Sequence, residues 1–432
     1  MKIFNSIYRP RFIWVILYYL IMLYIISYWT DNNTSPNIAF KIVFYLCLLL
    51  PALIKASEFV PTLIIGFSGI ALYGFAYSYM PTYLPVYLGS LFIFYLLFIR
   101  TSKNQFKVPK RFIGLGIYTL FIDLITNLQP DNITYSIFIV GIMGLFLDKY
   151  ISKETMAKLS FAFSLCTIVL SMYFLLFQDM FTRDYYAQGS GLERIGWMDA
   201  NYFGMVVGMG LVTAIIELTK FKDLGIIEKN FYIATLIFSL PTLILNASRG
   251  AILAVCISFT IIVIFSKMGR SLKTLIIFAT VAFLIYLYNN NYFELLAYRI
   301  NNDSNGGSGR TEIWVKKLSA FFEGDKLLWL IGYGNVGGKE LGMGWAFGSH
   351  NDYVAILCAY GAIGLLFFIS MLLYPIIKLK KRATGRPLVL AAFAYILTMC
   401  FTLEPYTAGR LSYFFFYFYV LVLMQAANNQ EL

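Results

Sequence analysis

A single histidine, His350, occurs in 432 residues, and it stands where a polar stretch of roughly 290–352 gives way to an apolar run. An imidazole with an unperturbed pKa of about 6.5 exchanges its proton near neutrality, so His350 is a candidate general base. The bland alternative is an interfacial histidine that caps the following helix. Arg249 is the second such residue. It sits at the tip of a tight hairpin, Asn246-Ala247-Ser248-Arg249-Gly250, and opens an apolar helix over 250–266. The exposed N–H groups of a helix start favour anions, and a guanidinium presents permanently charged, aligned donors. Arg249 can therefore bind a diphosphate emerging from a bilayer. Its alternative is an arginine that snorkels towards Glu404, Asp352 or lipid headgroups.

The elements that must position these groups are membrane helices. The chain is 59% hydrophobic, 18% aromatic and only 13% charged, with a mean hydropathy of +0.72. A soluble domain carries roughly a quarter charged residues. About 20 apolar residues cross a bilayer core as a helix. Apolar runs fall at 12–29, 38–54, 60–79, 83–99, 111–128, 133–147, 159–178, 201–218, 231–245, 250–266, 274–289, 353–374, 387–403 and 411–427. The fold expected is all-α, a polytopic transmembrane bundle of about 14 spans with one long outer loop bearing short amphipathic helices. It divides into N-terminal helices over 1–180, central spans over 181–289, the outer loop over 290–352 and C-terminal helices over 353–432. The first apolar run continues to Trp29 without a small-residue cleavage site, so a signal peptide is not expected.

Net charge of +12 in a soluble protein would raise nucleic acid as a partner. With the N-terminus inside, 23 of the 34 basic residues fall in inner segments, and 14 of the 22 acids fall outside. The excess is a cytoplasmic orientation marker, both termini are expected in the cytoplasm, and nucleic acid is excluded. Basic residues on the outer side run against that rule and each needs a reason. Six of the 11 are arginines: Arg183, Arg194, Arg249, Arg299, Arg310 and Arg410. The five cysteines all lie in apolar runs and read as packing residues. With one histidine and no cysteine cluster, a zinc site has nothing to be built from.

Within the long loop, Asp303 to Gly309 reads as a flexible turn. Thr311 can cap a helix over 312–323, whose Trp314, Leu318, Phe321 and Phe322 recur at helical spacing, with Lys316 and Lys317 on its polar side. Such a helix lies in the membrane interface. Glycines at 332, 334, 337, 338, 342, 344 and 348 follow, which either bring backbone close to a ligand or mark a disordered loop.

These residues also match a family pattern. Leu245-Asn246-Ala247-Ser248-Arg249-Gly250-Ala251-Ile252-Leu253 resembles the arginine motif of the bacterial O-antigen ligase and polymerase superfamily. Ser349-His350-Asn351-Asp352-Tyr353, with Gly361 eleven positions after His350, resembles its histidine motif. Gly309-Arg310-Thr311-Glu312-Ile313-Trp314 and Gly332-Tyr333-Gly334 are similar to its long periplasmic loop. Arg194, Gly196 and Asp199-Ala200-Asn201 resemble an earlier Arg…Gly…Asn segment. The likeness covers about 190–375, and the first 180 residues match only as generic hydrophobic helices.

The resemblance implies a glycosyltransferase of the bacterial inner membrane, with its active site on the periplasmic face. It would move a whole glycan from an undecaprenyl diphosphate carrier to an acceptor hydroxyl, inverting the anomeric carbon. No cofactor and no metal are expected, because arginines would stabilise the diphosphate leaving group. The roles implied are His350 as base, Arg249 on the diphosphate, and Arg310 on the diphosphate or an adjacent sugar. Arg194 is a helper, with Arg410, Glu404 and Asn351 as further candidates. The partners implied are the lipid-linked glycan, an acceptor glycan and, as a further candidate, a chain-length regulator. The Ser308-Gly309-Arg310 element with Ile313-Trp314 favours a polymerase, which extends a second lipid-linked unit. A ligase, which transfers to lipid A–core, is the alternative. A polysaccharide flippase or other transporter is the reading from another class. Transporters bind at the midplane and show repeated halves, whereas this chain shows no repeat, Asp123 as the one clear mid-span acid, and its polar residues in outer loops.

Overall fold

A computed structural model describes residues 110–126, 153–176, 182–184, 194–196, 200–219, 224–266, 268–301, 309–344, 348–378 and 386–405. The expected spans at 12–29, 38–54, 60–79, 83–99, 133–147 and 411–427, and with them Arg410, lie outside these residues, as does the turn at 303–308. The described chain is helical: α1 (Lys110–Thr126), α2 (Lys153–Leu176), α3 (Ala200–Leu218), α4 (Ile226–Leu245), α5 (Arg249–Phe265) and α6 (Arg270–Asn289). Then come α7 (Glu294–Asn301), α8 (Arg310–Glu323), α9 (Lys326–Ile331), α10 (Gly334–Glu340), α11 (Asp352–Lys378) and α12 (Arg386–Thr402). One departure from all-α is an antiparallel ribbon, β1 (Thr182–Asp184) with β2 (Arg194–Gly196), in which Arg194 faces Asp184.

Among the described residues, α3 and the Asp352–Tyr374 part of α11 are long and apolar enough to cross a membrane, and Arg249–Phe265 and Arg386–Thr402 are shorter apolar helices. Helices α6 and α7 pass the same test only as a pair bent by 83°. The bend falls at Asn290 to Phe293, where Asn291 takes a left-handed backbone with φ 63°. Asparagine tolerates that state through its short polar side chain. Bending there turns α7 back across the bundle end.

Helices α2, α3, α4, α5 and α12 pack together. Ser258 Oγ donates to Ala391 O at 2.9 Å midway along α5 and α12. At their ends, a Cβ on Gly250 would come within 2.5 Å of Thr402 Oγ1. These two contacts make α5 and α12 antiparallel, the relation that alternating membrane topology demands. The start of α5 therefore shares an end of the bundle with the finish of α12.

A second group forms where the loop helices α9 and α10 rest on α11, with α1 alongside. Gly361 lies inside α11 at φ 63° and ψ −169°, which breaks the helix. Carbonyls near the break are claimed from outside: Tyr333 N–H donates to Cys358 O at 3.0 Å and Tyr118 O–H to Tyr360 O at 3.0 Å. A Cβ at Gly361 would sit 2.3 Å from the Leu330 carbonyl carbon, so only glycine admits α9 this closely. The glycine-dense stretch works the same way. Gly332 and Gly338 bring backbone against Ala359 of α11, so over 332–340 it is packed structure, a scaffold contact in place of a loose loop.

Three further expectations are corrected here. Helix α8 begins at Arg310 behind Gly309, whose φ of 75° makes the turn, and Thr311 already lies inside it. Lys316 is exposed and paired with Glu312 at 2.7 Å, whereas Lys317 turns inward and is fully buried. Its ammonium donates to Gly338 O at 3.0 Å and Lys339 O at 2.7 Å. Those are carbonyls near the end of α10, where a helix dipole favours a cation, and burial lowers the Lys317 pKa. Asp123 lies three residues from the end of α1, accepting Asn335 N–H at 3.2 Å and Tyr360 O–H at 3.1 Å. Its carboxylate holds the start of α10 against the α11 break.

Candidate functional site

The last turn of α12 and the two residues after it organise one end of the bundle. Three successive carbonyls, of residues 402, 403 and 404, each accept a hydrogen bond from a different part of the chain. Arg310 Nη1 of α8 donates to Thr402 O. Asp352 N–H, at the start of α11, donates to Leu403 O at 3.2 Å. Tyr202 O–H, at the start of α3, donates to Glu404 O at 3.2 Å. The Thr402 side chain meets Gly250 at the start of α5. These are orphan carbonyls of a helix end, and a structure that buries them must satisfy them somewhere. Satisfying them from α3, α8 and α11, with Gly250 packed on the Thr402 side chain, brings the N-termini of α3, α5, α8 and α11 to one place. Each N-terminus carries a partial positive charge, so their convergence favours an anion.

His350 stands in this junction between two anchored neighbours. Its φ is 50°, a left-handed state that costs of the order of 1 kcal/mol or more for a residue with a Cβ. Ser349 before it is buried, and its carbonyl accepts Trp314 Nε1–H at 2.7 Å. Asn351 after it is buried too. Its Oδ1 accepts Tyr353 N–H at 2.9 Å and Val354 N–H at 3.2 Å, which caps α11. The capping role that His350 could have held belongs to Asn351, and the His350 side chain is left half-exposed between the two buried residues.

Glu404 is 7% exposed. Burial raises its pKa, while the backbone N–H and hydroxyl of Ser349, both donating to the carboxylate, and the charges of Lys339 and Lys317 pull it back. It is thereby tied directly to the residue before His350.

The arginines arrive from separate elements. Arg249 is the first residue of α5 and is half-buried; the N-cap Ser248 makes no side-chain cap to the helix start. Arg310 opens α8 and reaches Thr402 O, beside Gly250. Arg299 of α7, which the sequence marks only as one of the outer arginines, donates from Nη1 to Ala247 O. Ala247 takes φ 52°, so Arg299 braces the strained turn of the Arg249 hairpin. Arg194 lies in β2, and the ribbon packs against α3, whose N-terminus belongs to the same junction; the Arg194 side chain lies outside the described residues. The structure thus brings together Arg249, Arg310, His350, Asn351 and Glu404 at one end. Sequence reasoning missed Thr402, Ser349, Trp314, Tyr202 and the use of Arg299. For Arg299 the positive-inside exception was a signal. Ser349 and Trp314 stand within the quoted motifs, but the contacts that give them, Thr402 and Tyr202 their roles join distant segments and leave no mark in the sequence.

Among the described residues no three His, Cys, Asp or Glu side chains form a cluster that could hold a metal. Cys358 and Cys400 are buried, and Cys256 lies on an exposed face of α5.

The described residues form a helical bundle, with apolar helices long enough to cross a membrane and a polar junction at one end that gathers arginines and helix starts. The family model described as O-antigen ligase (Wzy_C) matches residues 234–369. That stretch, about a third of the chain, runs from α4 into α11 and is similar to the O-antigen ligase domain, whose family comprises membrane enzymes that generally transfer glycans from lipid-linked donors. It contains Arg249, Arg299, Arg310, His350 and Asn351, and stops before Glu404. No curated protein matches the chain.

Proposed function

We propose that this protein is an O-antigen or related surface-polysaccharide polymerase of about 14 spans in the bacterial inner membrane, with the α12 junction as its periplasmic active site. The observation that carries the reading is the anchoring of half-exposed His350 at the junction where Arg249 and Arg310 begin their helices. An undecaprenyl diphosphate-linked glycan presents its diphosphate to Arg249, Arg310 and the converging helix starts. His350 takes the proton from an acceptor hydroxyl on a second lipid-linked unit. The acceptor oxygen attacks the anomeric carbon, the bond from that carbon to the diphosphate oxygen breaks, and undecaprenyl diphosphate leaves with its electron pair. Attack opposite the leaving group inverts the anomeric centre. Charge developing on the diphosphate is met by the guanidiniums, which are in place before the reaction. Arg194 and Arg410 are assigned supporting contacts with substrate.

The ligase reading, with lipid A–core as acceptor, draws support from the description of the matching family and from the His350–Gly361 spacing. The glycan displayed by a null strain separates the two. A single repeat unit on core identifies a missing polymerase, and bare core with polymer still on its carrier identifies a missing ligase. Units stranded on the cytoplasmic face would point to transport and sink both. In the same strain His350→Ala and Arg249→Ala, inserted at wild-type level, are expected to restore no polymer. A normal ladder from either would remove that residue from the site.

A further inference from the structure

We infer that Glu404 is the positioning residue for His350, acting through Ser349. The inference rests on the reading of His350 as the base and deepens it. A base that accepts a proton from the acceptor hydroxyl must present its ring at a fixed angle, and the left-handed backbone of His350 sets that angle. A left-handed non-glycine residue holds only where its surroundings over-determine it. On the far side of His350, Asn351 is locked into the cap of α11. On the near side the restraint is Ser349, whose N–H and hydroxyl both donate to the Glu404 carboxylate. The Ser349 carbonyl is held by Trp314.

Glu404 is itself fixed, through its own carbonyl, by Tyr202. Its carboxylate presses against the chain at residue 348, where a Cβ would come within 2.9 Å of Oε2, so a glycine stands there. Being 7% exposed and committed to Ser349, Glu404 is placed to hold the loop and not to meet substrate. Two donors on one side chain call for a carboxylate, since a glutamine offers one acceptor oxygen and an opposed NH₂ group. Lys317 and Lys339 supply nearby positive charge that offsets part of the cost of burying the carboxylate. Glu404 lies outside the segment matched by the family model, at the end of the last described helix. It thus ties the C-terminal helix to the chemistry of the central domain.

The test compares the full-length wild type with Glu404→Ala, Glu404→Gln, Ser349→Ala and His350→Ala in nanodiscs. The substrate is lipid-linked glycan extracted from the native strain, and kcat, KM and the thermal midpoint are measured for each. Glu404→Ala is expected to lower kcat about 100-fold, the scale at which misplacing a group by about 1 Å is felt. Its KM for the lipid donor should stay within about twofold, because an interaction serving only the chemical step leaves ground-state binding alone. Glu404→Gln, with one acceptor retained, should recover about tenfold of that loss. Unchanged kcat in Glu404→Ala overturns the inference. So does a fall in kcat matched by a rise in KM and a lowered midpoint, which marks a merely structural residue. Should Glu404→Ala fail to fold, Ser349→Ala decides: lowered kcat at constant KM supports the inference, and unchanged kcat overturns it. Full activity in His350→Ala, or no transfer by the wild type, sinks the underlying functional reading instead.

Discussion

Arg310 donates to the carbonyl of Thr402 across 92 residues of chain, joining the first residue of α8 to the last of α12. This places the loop arginine beside the start of α5, where Arg249 stands, because the Thr402 side chain lies against Gly250. The resemblance assigns Arg310 to the diphosphate or an adjacent sugar. The structure adds an anchoring duty, and the two are compatible because a guanidinium has five donors in a fixed fork. A lysine has three donors on one nitrogen and cannot span both partners in that geometry.

Arg310→Lys is therefore expected to behave almost as badly as Arg310→Ala. Each should lose about 10² to 10³ in kcat, the scale for removing a preorganised donor to a charged transition state. Losing the bond to Thr402 should also cost about 1.5–3 kcal/mol of stability, as for hydrogen bonds to charged groups. Steady-state kinetics and thermal melts of both variants in nanodiscs check this. A Lys variant with wild-type kcat would mean that charge alone is required.

Gly361→Ala is expected to fail as a fold, with chemistry lost only as a consequence. The substitution puts a Cβ at φ 63° and within 2.3 Å of the Leu330 carbonyl carbon, so α9 must leave the break in α11. The left-handed state alone costs about 1–2 kcal/mol for a residue with a Cβ. Size-exclusion profiles and melts should show an unstable protein even though His350 lies eleven positions away. A stable Gly361→Ala protein of normal activity would contradict the packing of α9 on α11.

The same glycine shows what could be read from the sequence. The His350–Gly361 spacing was visible, but only packing separates its halves: one end stands at the candidate site and the other bends a helix to admit a loop. Helices α3, α5, α6, α11 and α12 begin within four residues of the expected boundaries, because long apolar runs carry their own signal. Helical periodicity puts Lys317 on the polar side of α8, because a one-dimensional pattern cannot see that α10 offers two carbonyls to it. Asp123 looked like a mid-span acid for a similar reason: its partners, Asn335 and Tyr360, lie 212 and 237 residues away. The Thr402–Glu404 hub was invisible because a helix terminus shows in sequence, while the donors that satisfy its carbonyls do not.

Lys317→Met tests the buried lysine. The apolar stem is replaced, but Gly338 O and Lys339 O lose their donor at the end of α10. The expected cost is about 1–3 kcal/mol per buried group left unsatisfied. The loop helices should become susceptible to limited proteolysis between α8 and α11 while the apolar bundle stays intact. Removing Lys317 also removes positive charge near Glu404, which should raise the Glu404 pKa further. An unchanged proteolysis pattern would show that the ammonium adds nothing to the loop.

Glu404 also makes stability depend on pH in a direction that can be worked out. Burial holds its folded pKa above the ordinary carboxylate value of about 4.3. The folded state therefore binds the proton more tightly than the unfolded chain. The resulting stability is fully present below the unfolded pKa and is lost as pH rises through the folded value. Glu404→Gln cannot ionise and lacks this dependence. The stability of the wild type relative to Glu404→Gln is thus expected to increase as pH is lowered from neutrality through the Glu404 titration, levelling off below about 4.3. Chemical or thermal denaturation of both proteins across that window measures the difference. A difference that moved the other way, with the wild type losing ground in acid, would mean that the two Ser349 donors outweigh burial and hold the carboxylate below its ordinary range.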